Sequence, residues 1–261
     1  MKQSKSSSKI SIGVDVIIPV YNSINTLKQA IESILNQTVE VARILVIDDG
    51  SDVETLEYLK TEITKLPKVE VFYNDHSGLP GKMRRIGVVN SDAPWIAFLD
   101  SDDWWEPTKI EKQLFLAQKY CADLVCSNGN AVKNDKLVGT VLSQESGFIS
   151  FKDLLKDNKI INSSVIVKKS KFVKCGEYES DFQSRGVEDY CMWLRFTQFG
   201  KIFFHNENLL NYRILEDSLS RQFKEDPRVF ALVNFYRWLR EVDLLSAKAQ
   251  IKILRLIKKE I

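Results

Sequence analysis

Residues 95–105 read WIAFLDSDDWW, an apolar run that stops on a cluster of carboxylates. Trp95, Ile96, Ala97, Phe98 and Leu99 are too few for a globular helix and continuously apolar, the pattern of a strand buried on both faces of a sheet. Asp100, Ser101, Asp102 and Asp103 follow at its C-terminal end, where open α/β sheets bind ligands. Carboxylates crowded together repel unless a cation or hydrogen-bond donors compensate them. A hard divalent ion, Mg2+ or Mn2+, carrying phosphate ligands is one answer. An Asp-rich turn capping a helix that Pro107 starts is the other.

Upstream, Val14–Val20 (VDVIIPV) reads as a first strand, and residues 24–37 put Ile24, Leu27, Ile31, Ile34 and Leu35 on one helical face. Asn22 or Ser23 is the expected cap of that helix. A second strand over 43–47 ends in Asp48-Asp49-Gly50-Ser51, with a helix from near Val53. Val69–Tyr73 is a third strand, followed by a Gly/Pro loop and a helix over 81–89; a further helix is expected over 107–120. Strands and helices alternating through short connections predict right-handed crossovers and an α/β, Rossmann-like, mostly parallel central sheet flanked by helices. The turn after the first strand is PVYN rather than GxGxxG, which argues against NAD or FAD. GLPGK at 78–82 lacks the spacing and the following Ser or Thr of a phosphate-cradling loop.

After Ala122 the pattern changes. Another strand is expected over 123–127, loose alternation over 128–149 broken by Gly129, Gly139 and Gly147, and extended chain again over 163–167. EDYCMWLRFTQF at 188–199 reads as a helix offering Trp193, Leu194 and Phe196 to the core, and the chain from Asp226 onward reads as helical.

With 261 residues and 44% hydrophobic content the chain can build one large α/β domain with an appendage. Lys and Arg total 37 against 35 Asp and Glu, so a net charge of +2 gives no reason to expect a nucleic-acid partner. MKQSKSSSK at the start has no apolar segment behind it and predicts a flexible tail over 1–11 rather than a signal peptide. No apolar stretch approaches the roughly 20 residues of a membrane span, so the expectation is a soluble, cytoplasmic protein or one held at a membrane surface. Cys121, Cys126, Cys175 and Cys191 lack CxxC spacing and are expected to be buried free thiols. His76 and His205 are the only histidines, which excludes a multi-histidine metal site; His205, in the strand-like KIFFHN, is expected to be structural.

PVYN at 19–22, DDGS at 48–51, LDSDD at 99–103 and the Glu188-Asp189 pair before an aromatic-rich helix occur in an order and at spacings that resemble the family 2 glycosyltransferases, inverting enzymes of GT-A fold. The resemblance covers residues 14 to about 222. It implies a catalytic domain over 12–222, with a nucleotide-sugar half at about 12–127 and an acceptor half at about 128–222, and a helical extension over 223–261. It also implies a nucleotide-sugar donor, usually a UDP-sugar, and a Mn2+ or Mg2+ cofactor.

By that resemblance Pro19, Tyr21 and Asn22 hold the nucleoside, and Asp49, supported by Asp48, accepts hydrogen bonds from uracil or ribose. Arg84 lies in MRR where the family has an ARN-like segment, three residues before Gly87, and is expected on the diphosphate. Asp102 is the expected metal ligand, with Asp100 toward ribose or a metal-bound water and Ser101 beside them. Asp189 is the expected general base, and Glu188 its neighbour positioning acceptor or loop. Arg213, Ser218, Ser220 and Arg221 are further diphosphate contacts, while Leu215 stands where relatives often carry a metal-binding His.

Plainer readings stand beside these. DDGS also suits a helix-capping turn, Lys82, Arg84 and Arg85 a solvated helix face, and Glu188 and Asp189 a favourable helix N-terminus. Trp104 and Trp105 suit a sugar-facing surface or simple packing. AKAQIKILRLIKKEI at 247–261 forms a basic amphipathic helix that suits an anionic membrane surface, its own catalytic domain, or a second subunit of a homo-oligomer.

The resemblance thus implies transfer to a glycan or lipid-linked acceptor in bacterial surface polysaccharide or glycolipid synthesis, at the inner face of the cell membrane. Two rivals differ in class. A lapsed enzyme that binds nucleotide-sugar or glycan without turnover is motivated by Leu215 and MRR. A nucleotidyltransferase would need a glycine-rich basic loop after the first strand, and PVYN is not one.

Overall fold

The computed structural model describes residues 13–176, 178, 185–215, 226–241, 251 and 255. The tail over 1–11, Ser218, Ser220, Arg221 and nearly all of 247–261 lie outside them. In the first half, β1 (Val14–Val20), α1 (Leu27–Leu35), β2 (Arg43–Asp48), α2 (Val53–Thr61), β3 (Val69–Tyr73), α3 (Pro80–Asn90) and β4 (Trp95–Phe98) alternate. The four strands are parallel in the order β3-β2-β1-β4.

Alternate residues of the apolar runs serve opposite faces. Ile17, Leu45 and Phe98 join Met83 and Val88 of α3 in one core cluster, while Ile18, Val46 and Ala97 join Leu27, Ile31 and Ile34 of α1 in the other. This two-sided burial is why the strands read as continuous apolar stretches. Helix α3 lies so close on β1 that a Cβ on Gly87 would stand 2.4 Å from Ile17 Cγ2.

Helix α1 is shorter than the expected 24–37, and neither proposed side chain caps it. Thr26 is its N-cap without a side-chain bond, and Asn22, at φ 50°, bonds across to the next strand's loop. By contrast Asp52 caps α2 by accepting from the Thr55 N–H.

The second half comprises β5 (Trp104–Trp105), α4 (Lys109–Lys119), β6 (Leu124–Lys133), β7 (Lys136–Thr140), β8 (Gly147–Ile149), α5 (Phe151–Leu154), β9 (Ile166–Lys168), α6 (Lys169–Phe172), α7 (Glu188–Phe196), β10 (Ile202–Arg213) and α8 (Pro227–Glu241). The sheet continues β4-β9-β6-β10-β5, with β7 on β6 and β8 on β10. Here antiparallel pairs enter: β9 runs against both β4 and β6, and β5 against β10. Asn134 and Asp135, both at positive φ, make the tight turn of the β6–β7 hairpin.

Strand β5 delays the next helix to Lys109, beyond the expected start at Pro107. Trp105 is core: its Nε1 donates to the Ser163 carbonyl and Lys109 Nζ sits 3.9 Å from its ring centroid. Helix α8 packs into the same core as α7, with Phe235 against Phe151 and Trp238 against Phe199. Cys126, Cys175 and Cys191 are buried; Cys121 is exposed, because it follows the end of α4 at φ 48°. No helix among the described residues is long and apolar enough to cross a membrane.

Candidate active site

The C-terminal ends of β1, β2 and β4 open on one edge, and the loops after them carry the predicted residues. Near the end of β1, half-buried Pro19 leads to exposed Tyr21 just beyond the strand. The Asn22 N–H donates to Ser51 Oγ at 3.0 Å, and its Oδ1 accepts from the Asp52 N–H at 2.8 Å, so the first loop is knotted to the second. Asp48 is buried and accepts the N–H groups of Gly50 and Ser51. Gly50 sits at φ 68°, and a Cβ there would fall 2.4 Å from the His76 nitrogen, so the DDGS turn and the loop after β3 are in backbone contact.

That contact places Asp49, expected to accept from uracil or ribose, against the loop after β3. Its Oδ1 accepts from Ser77 N and Oγ at 2.8 and 2.7 Å, and its Oδ2 from Gly78 N at 2.8 Å. The carboxylate is buried and turned toward its own neighbouring loop. The His76 ring occupies the outer position, Nδ1 2.8 Å from the Asp49 carbonyl oxygen and stacked on Tyr21 with centroids 4.2 Å apart.

The acidic loop after β4 is held from the segment before β9. Ser163 Oγ accepts from the Asp100 N–H at 3.1 Å, and Asn162 Nδ2 lies 3.5 Å from Asp100 Oδ1. Neither residue was anticipated, since NSS at 162–164 has no local signal beyond polarity. Ser101 Oγ donates to Ser23 Oγ. Asp103 is buried; its Oδ1 accepts the Arg213 N–H and its Oδ2 has no hydrogen-bond partner. Burial first, then the neighbouring Asp102 and Asp100, hold the Asp103 carboxyl well above the usual carboxylate range. Burial and then Asp100 push Asp102 up to about 6. The loop therefore concentrates more negative charge than its donors neutralise.

Arg84 does not face open space for a diphosphate. Its Nη2 donates to Asp100 Oδ1 and its Nη1 to Glu188 Oε1, each at 2.7 Å, and the guanidinium is buried. A buried cation is stable only with such partners, and the two carboxylates are nearest. Glu188 Oε2 also accepts from Gly186 N, so Glu188 holds the entry to α7. Asp189 is half-buried: its Oδ1 accepts the Tyr190 N–H at 2.7 Å and its Oδ2 lies 3.4 Å from Asn158 Nδ2. Burial, then Glu188, raise its pKa to about 7 against the pull of Arg84.

Arg213, expected on the diphosphate, is held by protein partners. Its Nη1 donates to Asp135, Nη2 to Gln29 and Nε to the Asp102 carbonyl, and its guanidinium lies 4.9 Å from the Trp104 ring centroid. It straps the acidic loop to β10, the strand it ends. Leu215 is exposed just beyond it. No group of three His, Cys, Asp or Glu side chains poised to hold a metal exists among the described residues.

Residues 15–175 match the family described as Glycosyl transferase family 2. An uncharacterized glycosyltransferase of Rickettsia typhi is 30% identical over 229 residues, covering 82% of this chain and 66% of that protein. The Escherichia coli UDP-Glc:alpha-D-GlcNAc-diphosphoundecaprenol beta-1,3-glucosyltransferase WfgD is 27% identical over 222 residues, 82% of this chain and 83% of that one. S. aureus TarS in complex with UDP-GlcNAc matches with a TM-score of 0.74 at 16% identity, over 95% of this chain and 72% of that chain, a likeness of fold. The chain spans 62% of a Haemophilus influenzae relative that is 34% identical, and 14% and 29% of relatives from Rickettsia bellii and Rickettsia felis.

Proposed function

The chain belongs to glycosyltransferase family 2, and on that premise we propose that it moves a sugar from a UDP-sugar to an acceptor hydroxyl with inversion at the anomeric carbon. Its fold is GT-A. The observation that carries the reading is the Arg84 fork: one guanidinium joins Asp100 of the acidic loop to Glu188, the residue before Asp189. A carboxyl with a pKa near neutrality is thereby kept close to the loop expected to face the donor diphosphate.

In this reading Asp189 takes the proton from the acceptor hydroxyl as that oxygen attacks the anomeric carbon. The bond from that carbon to the diphosphate oxygen breaks in the same displacement, and the nucleoside diphosphate leaves with the electron pair. Glu188 and Arg84 hold Asp189 at the start of α7 and set its charge balance.

The acidic loop fits a divalent cation by its chemistry. Asp102 and Asp103 are carboxyls whose crowding and burial disfavour ionisation, and Asp103 Oδ2 lacks a donor. Among the described residues no three acidic side chains form a cage, and Mn2+ or Mg2+ would be held by Asp102, with Asp100 beside it. Such an ion supplies charge neutralisation at the leaving diphosphate.

The acceptor class is drawn from WfgD, whose name specifies a UDP-Glc donor and a diphosphoundecaprenol-linked acceptor. We extend it here to a lipid-linked glycan in surface polysaccharide or glycolipid assembly, at the inner face of the cell membrane. The test is a UDP-release screen of the purified protein against several UDP-sugars, with and without Mn2+, with Asp189→Asn as control. Metal-dependent release from one donor, absent in the variant, is the expected result. UDP binding without turnover of any donor, even with lipid-linked acceptors supplied, would instead support a nucleotide-sugar-binding protein.

A further inference from the structure

One residue from outside the acidic loop anchors both of its ends. Ser163, buried, accepts the Asp100 N–H on its hydroxyl at 3.1 Å and the Trp105 indole N–H on its carbonyl oxygen at 2.8 Å. Between those points the chain turns tightly enough for the Asp103 N–H to reach the Asp100 carbonyl at 3.1 Å. Ser163 is itself fixed from behind. Its neighbour Ser164 accepts Gln113 Nε2 on its carbonyl at 2.8 Å and the Ser127 N–H on its hydroxyl at 3.2 Å. Lys109, one turn before Gln113 on α4, donates to Gln113 Oε1 at 2.7 Å and lies over the Trp105 ring, which closes the circuit. Ser164, Lys109 and Gln113 are fully buried, so these bonds do not compete with water.

We propose that Ser163 is a positioning residue for the divalent cation, its hydroxyl fixing the start of the acidic loop so that Asp100 and Asp102 are arranged before the ion arrives. The inference rests on the donor and cation reading above. Asp100, Asp102 and Asp103 crowd three carboxylates into four residues, and like charges drive such a loop to relax apart. A loop already held spares the ion the cost of gathering its ligands. Ser163 reaches the loop through a backbone N–H, so its hydroxyl sets where the chain lies and leaves the ligands themselves unchanged.

The experiment is calorimetric titration of wild type, Ser163→Ala and Ser150→Ala with UDP at a series of Mn2+ concentrations, including none. Ser163→Ala removes the hydroxyl and keeps the carbonyl that Trp105 binds. Ser150→Ala is the control for stability: it removes the hydroxyl that caps α5, and a lost cap and a lost hydrogen bond cost a fold comparable amounts. Ser163→Ala should need about fivefold more Mn2+ for the same gain in UDP affinity, the weight of one hydrogen bond, with metal-free UDP affinity unchanged. Ser150→Ala should match wild type in both. Deuterium exchange on metal-free wild type gives a check without a variant: the Asp100 amide should already be protected. A wild-type Mn2+ response in Ser163→Ala, an equal loss of UDP affinity with and without Mn2+, or the same loss in Ser150→Ala would overturn the proposal and leave the donor reading in place. So would an Asp100 amide that gains protection only when Mn2+ and UDP are added. If Mn2+ does not strengthen UDP binding by wild type, the cation reading itself fails and takes this inference with it.

Discussion

Arg84 and Glu188, 104 residues apart in sequence, meet through a 2.7 Å hydrogen bond between two buried side chains. The remaining Nη of the same guanidinium reaches Asp100, so a helix from the first half, the acidic loop and the helix bearing Asp189 share one cation. That junction closes the site across the two halves of the sheet.

Removing the cation should be costly. Arg84→Met leaves Glu188 buried without its partner, and loss of one member of a buried pair costs about 3–5 kcal/mol. Asp100 is 31% exposed and contributes less, because water screens it. Arg84→Lys should fall between, since an ammonium cannot span both carboxylates as a planar fork does. Urea unfolding measures this; a loss below about 1 kcal/mol, the range of exposed pairs, would mean that the junction does not hold the fold together.

Transfer should depend on pH through Asp189. The group must be ionised to accept a proton, and its pKa is raised to about 7, so the rate should rise through about pH 7 and level off above it. Asp189→Asn should abolish transfer and leave UDP binding in place. The stability effect has the opposite sign. The folded-state pKa lies above the unfolded value of about 3.9, so the native chain holds a proton that the unfolded chain has shed. Stability from this group is present in full below the unfolded value and is lost as pH rises through about 7. Undiminished transfer by Asp189→Asn would move the base elsewhere.

Asp102→Ala should remove the Mn2+ or Mg2+ dependence of UDP affinity. The check is UDP titration at increasing metal concentration in both proteins. Metal-enhanced binding that persists unchanged in the variant would sink the ligand assignment. The fold should tolerate the change, because the Asp102 contact to Arg213 is made by its carbonyl rather than its side chain.

Gly87→Ala tests the seat of α3 on β1. The added methyl would stand 2.4 Å from Ile17 Cγ2, in a core with no space for it. Overpacking of this kind costs about 1–3 kcal/mol, seen as a lower thermal midpoint. An unchanged midpoint would show that the helix shifts outward freely, and that Arg84, one turn earlier on α3, is less tightly set than its contacts indicate.

The residues legible in advance were those whose environment is written into their neighbours. Strands β1, β2 and β4 could be read from their own residues because burial on both faces demands apolar side chains at successive positions, and the acidic motifs could be located because they sit where those runs end. Extended chain was expected over 163–167, where β9 begins, but its antiparallel pairing was not legible, nor was the two-residue β5, since pairing belongs to two strands and neither segment carries a period of its own.

The sequence by itself determined the alternating α/β frame, the edge at which the loops gather, and the set of charged residues placed there. Tertiary structure alone decided what those charges face. Arg84 and Arg213 read in sequence as cations awaiting phosphate, and in the fold they meet Glu188, Asp100 and Asp135; Asp49 reads as an acceptor for a base and meets Ser77 and Gly78. A buried or half-buried charge takes the nearest group that neutralises it, and which group is nearest depends on how chain segments as many as 184 residues apart come together.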